Sequence, residues 1–80
     1  MNYYTQRFFS ICPKTKARVE YRLTIESQNV IMVEDIQQAV ADFETGDYHE
    51  SIADELHEKF GGTQTLDAHH HGTDIRTTRP

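Results

Sequence analysis

The stretch "ARVEYRLTIES", residues 17–27, decides the fold, because apolar and polar side chains alternate along it without a break. The apolar positions are Val19, Tyr21, Leu23 and Ile25. Successive side chains of a β-strand point to opposite faces, so this alternation predicts a strand with one buried face and one solvated face.

The segments before and after this strand predict three more strands. "NYYTQRFFSIC", residues 2–12, is rich in aromatic residues, and "PKTK", residues 13–16, indicates a hairpin in which Pro13 ends the ladder. Later in the chain, "TQTLDAHHH" and "TDIRTT" are rich in threonine, with Gly72 near the turn between them. Both read as strands.

Two helices are predicted between the strand pairs. "MVEDIQQAVADF", residues 32–43, has apolar residues at helical spacing, and Gly46 ends the pattern. "YHESIADELHEKF" follows, with Asp47 as the predicted N-cap and Gly61 at the stop. Its apolar stripe consists of Tyr48, Ile52, Leu56 and Phe60. The order ββααββ predicts one α+β domain over residues 1–80, an antiparallel four-stranded sheet with two helices on one face.

The composition limits the classes of function. Thirteen acidic and eight basic residues give a net charge of −5, which argues against nonspecific binding to nucleic acid. The sequence contains no apolar run long enough for a membrane span, and "MNYYTQRFF" lacks the apolar core of a signal peptide. The single cysteine fits a reduced, cytoplasmic location.

Charge is divided unevenly along the chain. Nine of the thirteen acidic residues lie within residues 33–60, whereas residues 1–27 are basic. A solvated helix face accounts for this pattern, and the alternative is an acidic binding surface, as in small inhibitor proteins of phage origin.

A short chain with open sheet edges also predicts a homo-oligomer.

The only cysteine, Cys12, stands at the end of the first predicted strand. One interpretation is a buried, inert thiol that packs as a small apolar side chain. The other is a nucleophile, because Lys14 and Lys16 lie beside it and nearby cations lower a thiol pKa. Such a thiolate could attack an electrophilic carbon.

The segment "DYHE", residues 47–50, also has two interpretations. Asp47 and Glu50 have the spacing of a capping box, which requires no function. In the functional interpretation, the Glu50 carboxylate accepts two parallel hydrogen bonds from a ring N–H and an exocyclic amine, as at a guanine-like edge. His49 could then relay a proton near neutral pH.

The segment "AHHHG", residues 68–72, offers a possible metal site. On a strand, His69 and His71 share a face and His70 points the other way. Together with Cys12, these two imidazoles could hold zinc and leave an open coordination position. The simpler interpretation is a set of histidines that bind no metal.

These motifs, in this order, resemble the tunnelling-fold superfamily, which binds purine- or pterin-like rings. It includes GTP cyclohydrolase I and the nitrile oxidoreductase of queuosine biosynthesis, which reduces 7-cyano-7-deazaguanine. In the reductases a strand ends in F-T-S-x-C-P-x-T-G, and residues 9–15 here read F-S-I-C-P-K-T. Their second helix opens with F-H-E, which residues 48–50 resemble as Y-H-E. Glu34 resembles an acidic helix start of the family, and residues 71–73 stand near its closing R-G-G.

The resemblance implies roles for individual residues. Cys12 would attack the nitrile carbon and form a covalent thioimide, Glu50 and Glu34 would bind the deazaguanine ring, and His49 would assist proton transfer. The thioimide would be reduced by NADPH or, as in amidine-forming relatives, opened by ammonia. A cyclohydrolase-like enzyme acting on a pterin or purine would instead hold zinc through Cys12, His69 and His71. Members assemble into homo-oligomers with pockets between subunits.

Two positions depart from the reductase pattern. The family carries an Asp seven residues after the Cys as a proton donor, and that position here is Val19. The nearest acid is Glu20, which would replace it only if a loop adjustment shifted the strand register. The segment linked to NADPH corresponds to "VEDIQQA", which has no lysine. The reductase, amidine-forming, zinc-dependent and non-enzymatic interpretations therefore remain open at the level of sequence.

Overall fold

The computed structural model describes residues 1–80 and has the predicted order of elements. The strands are β1 (Asn2–Ile11), β2 (Arg18–Ser27), β3 (Thr63–His70) and β4 (Thr73–Arg79), and the helices are α1 (Val33–Ala41) and α2 (His49–Phe60). The strands form one sheet in the order β1-β2-β3-β4, and every neighbouring pair is antiparallel. The predicted α+β class with the ββααββ order is confirmed.

Strand β2 lies inside the sheet and shows the alternation that its sequence predicts. Leu23 is 1% exposed and lies between Gln6 of β1 and Leu66 of β3. Residues at the intervening positions lie on the other face, where Arg22 is exposed and Thr24 is half-buried. The sheet therefore has one face covered by the helices and one open face.

The two helices complete a single core above the covered face. Each contributes three buried side chains: Ile36, Ala39 and Val40 from α1, and Ile52, Ala53 and Leu56 from α2. Fully burying a large aliphatic side chain stabilises a fold by about 1.5–3 kcal/mol. Phe60 is only partly buried and Tyr48 is 55% exposed, so the buried stripe of α2 is shorter than predicted.

Neither helix combines the length and apolar character needed to cross a membrane.

The N-terminus of α2 differs from the prediction. The helix begins at His49 with Tyr48 as its N-cap, and no side chain caps it. Asp47 accepts a hydrogen bond from the Tyr48 amide at 2.7 Å instead. Glu50 occupies the second helical position rather than the third. The predicted Asp47–Glu50 capping box is therefore wrong, because both residues stand one position too early.

The connection before α2 is attached to the end of β1. Ser10 is fully buried, and its hydroxyl donates to the Phe43 carbonyl at 2.6 Å and accepts from the Asp47 amide at 3.2 Å. Gly46 lies against Ile11 with φ +118°, and a Cβ on it would stand 2.8 Å from the Ile11 carbonyl oxygen. These contacts place the start of α2 beside Cys12.

Gly46→Ala is expected to destabilise the fold more than Gly72→Ala. Both glycines have a positive φ, +118° and +79°, so alanine is strained at either position. Only at Gly46 does the added Cβ meet backbone, because nothing lies within 4 Å of a Cβ at Gly72. Urea titrations of both variants measure the difference in the free energy of unfolding. Equal losses of unfolding free energy in the two variants would show that the close approach of Gly46 to Ile11 does not add to the cost of alanine.

Candidate active site

A cavity of about 130 Å³ lies between the covered face of the sheet and the start of α2. Its polar lining consists of Cys12 after β1, Asp47, Tyr48 and His49 at the start of α2, and His70 at the end of β3. Apolar side chains of β2, β3 and β4 complete the wall. The fold thus brings together Cys12 and His49, which the sequence indicated separately.

The turn after β1 determines the environment of the Cys12 thiol. The Lys16 amide donates to the Cys12 carbonyl at 2.8 Å, and the Cys12 amide donates to the Ala17 carbonyl at 2.8 Å. Lys16 takes a left-handed conformation, with φ 65°. This turn brings Lys14 and Thr15 close to the sulfur.

Hydrogen bonds within this turn lower the pKa of the Cys12 thiol. The Thr15 hydroxyl has the largest effect and the Thr15 amide the next, with smaller effects from the amide and charge of Lys14, while partial burial opposes them. A lowered pKa raises the fraction of nucleophilic thiolate at neutral pH. The sequence suggests Lys14 and Lys16 as the cause of a lowered thiol pKa, whereas the main contributor is Thr15.

His49 has one nitrogen bonded and one free. Its Nε2 lies 2.7 Å from the Thr77 hydroxyl oxygen, and its Nδ1 is buried without a hydrogen-bond partner. Burial lowers the pKa of His49 from its ordinary value, so the ring is neutral at pH 7. A neutral imidazole with a free nitrogen can accept a proton from a nearby group.

Tyr21 and His70 also line the cavity, although neither was predicted from the sequence as a site residue. Burial, and then the negative charges of Cys12 and Asp47, raise the pKa of Tyr21 to about 12, which keeps its phenol protonated. His70 has a buried Nδ1 without a partner, and its ring lies 4.2 Å from that of His71. The strand alternation could have identified His70, because His70 lies two residues after the buried Ala68 and therefore on the same face of β3.

The proposed zinc ligands Cys12, His69 and His71 are not assembled. His69 is on the open face, where its Nδ1 lies 2.8 Å from Asp74. Strand β3 ends at His70, and His71 sits in the turn with φ 50°, its Nε2 3.4 Å from the Thr15 hydroxyl. No three His, Cys, Asp or Glu side chains are grouped as metal ligands. These residues do not fit a zinc ion, because the two histidines do not share a strand face.

Glu20 and Glu34 do not lie near Cys12. β2 pairs with β1 in unbroken register, so Val19 faces the cavity while Glu20 is exposed on the open face and bonded to Arg18 at 2.7 Å. The register shift that would have brought Glu20 to the thiol does not occur. Glu34 is exposed in the first turn of α1, outside the cavity.

Glu50 lies just outside the cavity, beside β4. Its Oε1 accepts from Arg79 at 2.7 Å, and its Oε2 lies 3.4 Å from the Thr77 hydroxyl. The hydrogen bond from Arg79 lowers the pKa of the Glu50 carboxyl, which is therefore ionised at neutral pH. Its side chain is 69% exposed, so it remains accessible to a ligand.

A larger groove, of about 750 Å³, crosses the open face of the sheet. Its charged residues largely satisfy one another: Asp67 accepts from Arg76 at 2.7 Å and from Arg22 at 3.3 Å. The groove contains no thiol, and neither buried nitrogen without a partner belongs to its lining. The smaller cavity is the better candidate, because its lining includes the thiol and both histidines that have a buried nitrogen without a partner.

Among solved structures, this chain is similar to the archaeosine synthase QueF-Like in its apo form. The TM-score is 0.77, and the match covers 98% of this chain and 89% of that chain at 19% sequence identity. The chain has the tunnelling fold. The resemblance drawn from the motif order is thereby confirmed for the fold. No protein-family model matches the chain, and none of the curated proteins matches it.

Proposed function

We propose that this protein is an enzyme that acts on a 7-deazaguanine nitrile through a covalent thioimide on Cys12. One observation carries the proposal: a thiol with a lowered pKa lines a cavity in which His49 and His70 each have a buried nitrogen without a partner. Such a cavity offers a nucleophile together with proton carriers. The similarity of fold to the archaeosine synthase QueF-Like supports this choice of substrate.

The reaction begins with attack of the Cys12 sulfur on the nitrile carbon. A carbon–sulfur bond forms, one π bond of the nitrile breaks, and its electron pair goes to nitrogen. His49 accepts the thiol proton through Nδ1 and returns it to this nitrogen, which gives a neutral thioimide. Ammonia then adds to the same carbon, the carbon–sulfur bond breaks and the sulfur leaves as the thiolate, while the extra proton from ammonia stays on the product, which is an amidinium ion. The product contains the atoms of the nitrile and of one ammonia at the same oxidation level, so the reaction needs no oxidant or reductant.

We favour amidine formation over reduction because the chain does not fit NADPH. Phosphate groups require cations or N–H donors. The segment that corresponds to the NADPH-linked part of the reductases forms α1, whose first turn exposes Glu34 and Asp35 and which has no lysine. Val19 also stands where those reductases carry their acidic proton donor, and Glu20 points away. No hydride step is therefore part of the proposal.

The cavity accommodates only one end of the substrate. Ligand pockets usually measure about 300–1,000 Å³, so 130 Å³ encloses the nitrile arm and leaves the ring at the opening. A carboxylate has about four acceptor positions. Glu50 uses two of them for Arg79 and Thr77, which leaves acceptors for the ring N–H and the exocyclic amine.

A second copy of the chain would supply the rest of the pocket. Strands β1 and β4 are both at edges of the sheet, and each has one side without a partner strand. Open edges favour pairing with another chain. We therefore propose a homo-oligomer in which the ring binds between subunits.

Product analysis tests the proposed reaction. Wild-type protein, 7-cyano-7-deazaguanine and ammonium are incubated, and mass spectrometry is expected to find a product heavier than the nitrile by one ammonia. Cys12→Ala should give none. A parallel incubation with NADPH tests the reductase alternative, whose product would gain four hydrogens. Absence of the ammonia product from folded wild-type samples, or its formation by Cys12→Ala, would contradict the proposal.

A further inference from the structure

Thr77, on edge strand β4, lies between His49 and Glu50. Its Oγ1 is 2.7 Å from His49 Nε2 and 3.4 Å from Glu50 Oε2. Arg79 is two residues along the strand and binds both Glu50, at 2.7 Å, and Asp54, at 2.9 Å. The guanidinium thus fixes the carboxylate beside the Thr77 hydroxyl.

The number of hydrogens in this chain of contacts determines which tautomer of His49 fits. An ionised carboxylate has only acceptors, while a neutral imidazole has one donor and one acceptor. When the single Thr77 hydrogen points to Glu50, the hydroxyl oxygen presents a lone pair to His49. Nε2 must then carry the ring proton, and Nδ1 is unprotonated.

The opposite tautomer satisfies fewer groups. The Thr77 hydroxyl would donate to Nε2 and turn its lone pairs toward the Glu50 carboxylate. His49 Nδ1–H would then be a buried donor without a partner. Buried N–H groups without an acceptor are rare in folded proteins.

We propose that Thr77 is a positioning residue that holds His49, which lines the same cavity as Cys12, as the Nε2–H tautomer and leaves its buried Nδ1 as a proton acceptor. The geometry of the hydroxyl between imidazole and carboxylate carries this inference. Its catalytic meaning rests on the proposed function, whereas the tautomer itself does not. An acceptor nitrogen in this cavity would take the proton of the thiol.

Nitrogen NMR of ¹⁵N-histidine-labelled protein at about pH 8 tests the tautomer directly. In wild type, His49 is expected to show a protonated Nε2 and an unprotonated Nδ1. Thr77→Val keeps the shape of the side chain and removes the hydroxyl, so the two tautomers should become mixed. Thr77→Ser keeps the hydroxyl and should restore the wild-type pattern. The wild-type spectrum and the serine variant decide the question even if Thr77→Val does not fold.

Kinetics supply a second measurement. With the nitrile and ammonium as substrates, Thr77→Val is expected to lower kcat by roughly 10–100-fold, the range found for groups that orient metal-binding histidines, with KM nearly unchanged. Thr77→Ser should remain close to wild type. A protonated Nδ1 in wild type, or an unchanged His49 spectrum in Thr77→Val, would overturn the proposal. Absence of nitrile turnover with the expected tautomers would instead reject the proposed function alone.

Discussion

Folded wild-type protein is expected to react with iodoacetamide near pH 7, and Cys12→Ala is expected to abolish the reaction. An unperturbed thiol has a pKa of about 8.5 and is mostly protonated at that pH. Cys12 differs because hydrogen bonds from Thr15, and then from Lys14, lower its pKa. Since Cys12 is the only cysteine, intact mass after labelling reports on this thiol alone.

Two substitutions at Thr15 form a matched pair for this measurement. Thr15→Val removes the hydroxyl that contributes most to the lowered pKa, so labelling should slow at pH 7 and recover at higher pH. Thr15→Ser keeps the hydroxyl and should label at nearly the wild-type rate. If the thiol reacts only after denaturation, Cys12 is an inert core residue and the nucleophile hypothesis is wrong.

Glu50→Gln is expected to weaken binding of a guanine-like ligand by roughly ten- to hundredfold, the usual effect of losing a hydrogen bond to a charged group. The glutamine NH₂ would face a ring donor in place of a carboxylate acceptor. The Tm should hardly change, because Glu50 is largely exposed and caps no helix. Exposed ion pairs contribute little to stability.

Asp54→Asn is the matched control for Glu50→Gln. Both carboxylates bind Arg79 and both side chains are 69% exposed, but only Glu50 adjoins Thr77 and the cavity. Isothermal titration calorimetry should show normal affinity for Asp54→Asn and reduced affinity for Glu50→Gln. Equal affinity in Glu50→Gln and wild type, or equal losses in both variants, would exclude Glu50 as the ring anchor.

The fold was predictable because its signals are local. The alternation from Val19 to Ile25 identifies β2, and the helical spacing of Ile36, Ala39 and Val40 identifies α1, without knowledge of any partner. The start of α2 was predicted wrongly, since "DYHE" satisfies a local capping rule. Glu50 binds instead to Arg79, which follows 29 residues later in the chain. A local sequence motif cannot predict a contact between residues that lie so far apart along the chain.

The candidate site was only partly predictable for the same reason. Cys12 and His49 were identified from short motifs, and the fold brings both to one cavity. His70 was missed because the sequence interpretation paired His69 with His71 as metal ligands, whereas the alternation with the buried Ala68 places His70 on the covered face. The left-handed turn at His71 ends strand β3, so His71 does not share a strand face with His69. Thr77 lies in a segment with no functional motif, and only its position opposite α2 indicates a role.

The central claim is that Cys12 forms a covalent bond with the nitrile, and native intact-mass spectrometry tests it most directly. Wild-type protein is incubated with 7-cyano-7-deazaguanine without ammonium or NADPH, so that the thioimide cannot be consumed. The expected result is one adduct per chain, equal in mass to the complete nitrile, mapped to Cys12 and absent from Cys12→Ala. Unmodified wild-type protein at saturating nitrile, with its thiol still reactive toward iodoacetamide, would contradict the claim.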